Sequence, residues 1–90
     1  MAHTALNKKK LMDRVKRLQG QLNGIAQALE AGDDCYEVLQ TLSSARGALN
    51  GLMGEIIEGH IREHVIHAKN NKESENAAEE TIEILKSYWK

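Results

Sequence analysis

Among 90 residues the chain has no proline, no phenylalanine, one cysteine, one tryptophan and two tyrosines. The lack of proline, with 41% apolar and 28% charged residues, describes a single domain over residues 1–90 and excludes a disordered tail or a jointed pair of domains. Without phenylalanine, a core has to be built from Leu, Ile, Val, Ala and Met, each of which buries modest area. A chain this short with so few large apolar side chains is expected to self-associate. One cysteine excludes an intrachain disulfide, and no apolar run is long enough to span a bilayer. The opening MAHTALNKKKLMDRVKR has no apolar core of a secretion signal. The expected address is therefore the cytoplasm, where a lone thiol stays reduced and open to chemistry or metal.

The net charge of −1 conceals a division. Residues 1–20 carry Lys8, Lys9, Lys10, Arg14, Lys16 and Arg17 against Asp13 alone, a net of +5, while the remaining seventy carry −6. A basic end on an otherwise acidic chain is the footprint of an anionic partner, with double-stranded DNA the leading candidate.

Leu11, Val15, Leu18, Leu22, Ile25 and Leu29 recur at alternating spacings of four and three, which predicts a long helix from near residue 5 to Gly32, a residue suited to the left-handed position after a helix end. Asp34, with Glu37 three residues on, predicts the cap of a second helix that has Cys35 in its first turn. That helix carries Val38, Leu42, Ala45, Leu49, Leu52 and Ile56, then replaces apolar residues with His60, His64 and His67. A third, shorter helix is expected from about Ser74, its predicted cap, to Lys90, with Ala78, Ile82, Leu85 and Trp89 at helical spacing. No strand pattern occurs, so the fold class is all-α: an antiparallel hairpin plus a short third helix.

Two long helices joined by so short a turn run antiparallel, so residues whose numbers sum to roughly 66 lie side by side. His3 then falls beside the His60–His67 end, while Cys35 sits at the other, roughly 37 Å from His60 along the same helix. One chain cannot bring them together. A bare hairpin also leaves an apolar face uncovered, which a second hairpin would bury in a four-helix bundle. If two copies of the second helix cross antiparallel about residues 47–51, Cys35 of one reaches the 60–64 turn of the other. Gly47, Ala48, Gly51 and Gly54 would make that crossing close.

In such a dimer the imidazoles of His3, His60 and His64, the thiolate of Cys35 from the other copy and the amine of Ala2, freed by removal of Met1, converge on one point. His60 and His64, four apart, lie on one helix face. Several nitrogens with one sulfur suit Ni(II), Co(II) or Zn(II), whereas Cu(I) would call for a second thiolate. His67, one turn on, is a ligand, a support for one or a surface residue. Glu63 either orients an imidazole or is solvated. Because thiol and imidazoles lose protons on ligation, a metal response would weaken on acidification. An enzyme with Cys35 and His60 as nucleophile and base finds no support, because nothing resembles an oxyanion hole, a cofactor loop or a substrate cleft.

Lys10, Arg14, Arg17 and Gln21 form a polar stripe rotated away from the leucine seam, and the sum rule sets Arg46 beside Gly20 to extend it. With Lys16 these groups could track phosphates, giving affinity that falls steeply with salt. No recognition helix is evident, so backbone and shape readout is expected rather than a base-by-base code.

RVKRLQGQLNGI, the cysteine opening the second helix, and VLQTLSSARGALNGLMGEIIEGHIREHVIH together resemble the CsoR/RcnR family of small all-α transcriptional repressors over nearly the whole chain. The resemblance implies a homotetramer, a dimer of paired hairpins, that holds operator DNA until an effector releases it. It also points to Arg14 and Arg17 as DNA contacts. His3, Cys35, His60 and His64 stand at the positions by which branches of the family differ, and this set is similar to the nickel- and cobalt-sensing RcnR branch, which controls metal-efflux genes. The copper branch would have Cys in place of His64. The formaldehyde-sensing FrmR branch, which would use Cys35 and the N-terminal amine, is the alternative.

Overall fold

The computed structural model describes residues 7–88. Three helices follow in order: α1 (Lys8–Ala31), α2 (Cys35–Ile61) and α3 (Asn71–Tyr88), with a π-helical turn, Arg62–Ile66, continuing from the end of α2. The fold is all-α with a long helical hairpin, as the sequence pattern requires. No helix among the described residues is long and apolar enough to cross a membrane. The chain forms two compact units, one comprising residues 7–53 and the other, as described, residues 54–88.

In the first unit α1 ends where expected. Gly32 adopts φ 73° and ψ 31°, and its N–H reaches the Ala28 and Leu29 carbonyls. The Asp33 N–H also donates to Ala28 O, at 2.9 Å. These bonds satisfy carbonyls that a helix end would otherwise leave unpaired. Asp34 then starts α2 by accepting the Tyr36 N–H at Oδ1, at 3.2 Å, so the chain reverses within three residues. The helices pair in antiparallel register: Gln21 Nε2 donates to Ser44 Oγ at 3.1 Å, and a Cβ on Gly51 would lie 3.2 Å from Arg14 Nη1. Both pairs sum to 65, one less than the expected value.

The leucine seam, however, divides between two faces. Ile25 and Ala45 are the buried apolar residues of this unit, with Leu18, Gln21, Ala28, Val38, Thr41 and Ala48 half-buried around them. Leu22, at 52% exposure, and Leu29, at 65%, face outward, as do Leu42 and Leu49 of α2. An apolar stripe wide enough for two neighbours meets only one within the hairpin. Ala48, expected at a crossing between copies, is half-buried within the single chain.

In the second unit α3 begins at Asn71, earlier than the residue-74 start expected from the sequence, because Asn70 provides the cap. Its Oδ1 accepts the Glu73 N–H at 2.9 Å, and Glu73 Oε1 reaches back to accept the Lys69 N–H at 3.2 Å, a reciprocal arrangement of the capping-box kind. Ser74 has a different role: its Oγ donates to Val65 O at 3.2 Å and ties α3 to the π turn. The face of α3 that packs is centred on Ala77 and Thr81, both buried, while Ile82 is exposed. The Thr81 hydroxyl can be buried because it donates to Ala77 O at 2.7 Å. Trp89 and Lys90 lie outside the described residues.

Candidate metal centre and basic surface

The His60 and His64 side chains are placed by three features of the second unit. His60 lies in the last turn of α2, His64 lies in the π turn, and α3 packs alongside, held by the Ser74–Val65 bond. In an α-helix, residues four apart are offset by about 40° beyond a full turn. The π turn, marked by the His67 N–H donating to Arg62 O at 3.0 Å, winds less per residue and reduces that offset. The two imidazoles consequently stand one above the other, with ring centroids 5.1 Å apart and planes at 48°. Both are about three-quarters buried, at 26% and 28% side-chain exposure. They border an open groove of about 550 Å³ whose far wall is Glu73, Ala77 and Glu80 of α3.

This spacing suits shared ligation. With metal–nitrogen bonds of about 2.1 Å and angles near 90–110° at the ion, two ligating rings have centroids about 4.5–5.2 Å apart. Two imidazoles do not complete a site. Among the described residues, no group of three or more His, Cys, Asp or Glu within the chain is placed to hold an ion.

The other expected ligands are distributed as follows. Cys35 is an exposed free thiol at the first position of α2, the opposite end of the helix from His60. His3 and Ala2 lie outside the described residues. His67 terminates the π turn and is exposed, and Glu63 is half-buried in that turn. Two carboxylates of α3, which the sequence pattern does not single out, also face this groove. Glu80 Oε1 lies 3.9 Å from His60 Nε2, and Glu73 Oε1 lies 3.9 Å from His64 Nδ1. Their spacing of seven residues, with Ala77 between, was the available signal: it places both on the face of α3 that carries its small buried residue.

The basic stripe of α1 also divides. Lys10, Lys16 and Arg17 are exposed, as is Arg46 on α2. Arg14 is half-buried, its guanidinium lying over Gly51, where only hydrogen occupies the helix surface. Gln21 faces inward to Ser44, and its Oε1 is buried with no hydrogen-bond partner. Arg14 and Gln21 therefore belong to the hairpin interface, and the outward cations of the described residues 7–53 are Lys8, Lys9, Lys10, Lys16, Arg17 and Arg46.

Comparison with known proteins follows this architecture closely. Residues 7–87 match the family model of metal-sensitive transcriptional repressors. An uncharacterized protein in the bioA 5' region of Serratia marcescens is 43% identical over 91 residues, and the transcriptional repressor RcnR of Citrobacter koseri is 39% identical over 90, each match covering 100% of both chains. A solved structure of a glutamate-to-histidine variant of the formaldehyde-responsive regulator FrmR, from Salmonella enterica serovar Typhimurium, superposes with a TM-score of 0.84 at 34% identity, covering 91% of this chain and 93% of that one.

Proposed function

The chain belongs to the family of metal-sensitive transcriptional repressors, and from that premise we propose that it holds operator DNA while metal-free and releases it on binding Ni(II) or Co(II), with metal-efflux genes as the target. The family is one of repressors, not enzymes. The observation that carries the choice of effector is the His60–His64 pair, whose rings stand 5.1 Å apart on a groove open to solvent. In this reading Cys35 of a second copy adds the sulfur, and His3 and the Ala2 amine add nitrogens from the N-terminal arm. Nitrogen-rich ligation with one thiolate favours Ni(II) or Co(II), and Zn(II) is the competing ion because affinity alone does not separate these metals.

The arm that supplies His3 runs directly into Lys8 and the outward cations of α1. Tethering it to the histidines would change how the cationic surfaces of a homotetramer are spaced on the duplex. Release requires that metal favour the state that does not fit DNA, by about 1–3 kcal/mol in typical couplings. Lys10, Lys16, Arg17 and Arg46 would contact phosphates directly. Arg14 would reach DNA from its seat over Gly51. Glu63 and His67, on the π turn, are assigned to supporting the ligands rather than to binding the ion.

A second reading has one observation in its favour. The superposing structure is of a formaldehyde-responsive regulator, and Cys35 is exposed, as a nucleophile paired with the N-terminal amine would need to be. The two separate in one experiment. With an operator duplex obtained by in vitro selection and followed by fluorescence anisotropy, Ni(II) or Co(II) releases the protein, formaldehyde does not, and His64→Leu loses the metal response at unchanged DNA affinity. Release by formaldehyde alone would establish the second reading in place of the first.

A further inference from the structure

The two carboxylates facing the histidines are not equivalent. Glu80 is 69% exposed and lies 3.9 Å from His60. Glu73 is 32% exposed and already fixed, because Oε1 accepts the Lys69 N–H at 3.2 Å while its own N–H is held by Asn70 Oδ1 at 2.9 Å. The atom that closes the cap is also the atom that lies 3.9 Å from His64 Nδ1. At that distance it acts on the imidazole through charge rather than through a formed hydrogen bond. The Ser74–Val65 bond fixes the spacing between the two elements that carry them.

We infer that Glu73 is a positioning residue for His64: its capped carboxylate holds the imidazole proton on Nδ1 and leaves the Nε2 lone pair as the one presented to an ion. An imidazole ligand has one nitrogen for the metal and one for a proton, and a carboxylate beside the second selects the tautomer and the ring orientation. Here that carboxylate is supplied by a helix cap. The first turn of α3 and the orientation of His64 in the π turn thus share one side chain. The inference rests on the metal-sensing reading for its purpose, whereas the hold on the proton exists without metal.

The variant Glu73→Gln separates capping from charge. Glutamine still accepts the Lys69 N–H, as it does in capping boxes generally, but carries no charge to act across 3.9 Å. The expected result in metal-free protein, read by long-range nitrogen–proton NMR of His64, is an Nδ1–H tautomer in wild type that gives way to Nε2–H in Glu73→Gln, with helix content unchanged. Ni(II) affinity, measured by chelator competition, falls about tenfold, the lower end of what outer-shell partners of metal ligands contribute. A wild-type tautomer and affinity in Glu73→Gln would overturn the inference. A wild-type protein that takes up no Ni(II) would refute the sensor reading, an outcome distinguishable because the tautomer measurement reads Glu73 with no metal present.

Discussion

Gly51 shows how a single missing side chain serves an arginine across the hairpin. Glycine inside a helix is destabilising by about 1 kcal/mol relative to alanine, and at this position it leaves room for the Arg14 guanidinium. A methyl group there would stand 3.2 Å from Nη1, which is tight, but the atom it meets is the far end of a flexible side chain. Folding can therefore accommodate Gly51→Ala, while the Arg14 guanidinium has to give by a few tenths of an ångström. The expected outcome is a melting temperature at least as high as wild type together with weaker operator binding in an anisotropy titration. An unchanged DNA affinity would show that Arg14 does not act from this position. Gly47, which has nothing within 4 Å of a built Cβ in the single chain, gives no such argument.

At the scale of the element, the turn between α1 and α2 and the start of α3 are determined by local chemistry. Gly32 at φ 73° occupies a conformation in which a Cβ costs roughly 1–2 kcal/mol. Gly32→Ala is therefore expected to lose about that much stability, read from the midpoint of urea unfolding at unchanged slope. This turn was legible in the sequence because glycine and aspartate act within a few residues. The start of α3 was legible only in part. Ser74 and Asn70 are both cap formers, and periodicity alone does not choose between them. The choice falls on Asn70 because Glu73 lies three residues later to complete the reciprocal pair, which leaves the Ser74 hydroxyl to reach Val65. The π turn gives no sequence signal of its own, since REHVI reads as continued helix. It lies where α2 ends, and there the Ser74 hydroxyl of α3 donates to the Val65 carbonyl.

For the whole molecule the relevant quantity is the apolar surface that the chain leaves in water. Among the described residues the buried apolar side chains are Ile25, Ala45 and Ala77, and no large side chain is fully buried. Leu22, Leu29, Leu39, Leu42 and Leu49 are each about half exposed or more. Covering half of one leucine side chain is worth about 1 kcal/mol, so a second copy laid over this stripe would add several kcal/mol to a chain whose own core is slight. We therefore expect the melting temperature to rise with protein concentration, as it does when association stabilises the folded state. Leu42→Lys should abolish that dependence and lower the molecular mass seen by light scattering. A concentration-independent transition in wild type would mean that the stripe is not an interface between copies.

The sequence by itself determined the helical class, the reversal at Gly32, the antiparallel register, the basic end and the pairing of His60 with His64, since each depends on the identity of residues within a few positions or on a fixed period. Which half of each apolar stripe faces the hairpin was settled only by tertiary structure, which turned Arg14 and Gln21 inward and left Leu22 and Leu29 outside. Tertiary structure also brought Glu73 to His64. These outcomes depend on the rotation of one helix against another, and a stripe wide enough to satisfy two neighbours does not say which of them the chain itself provides.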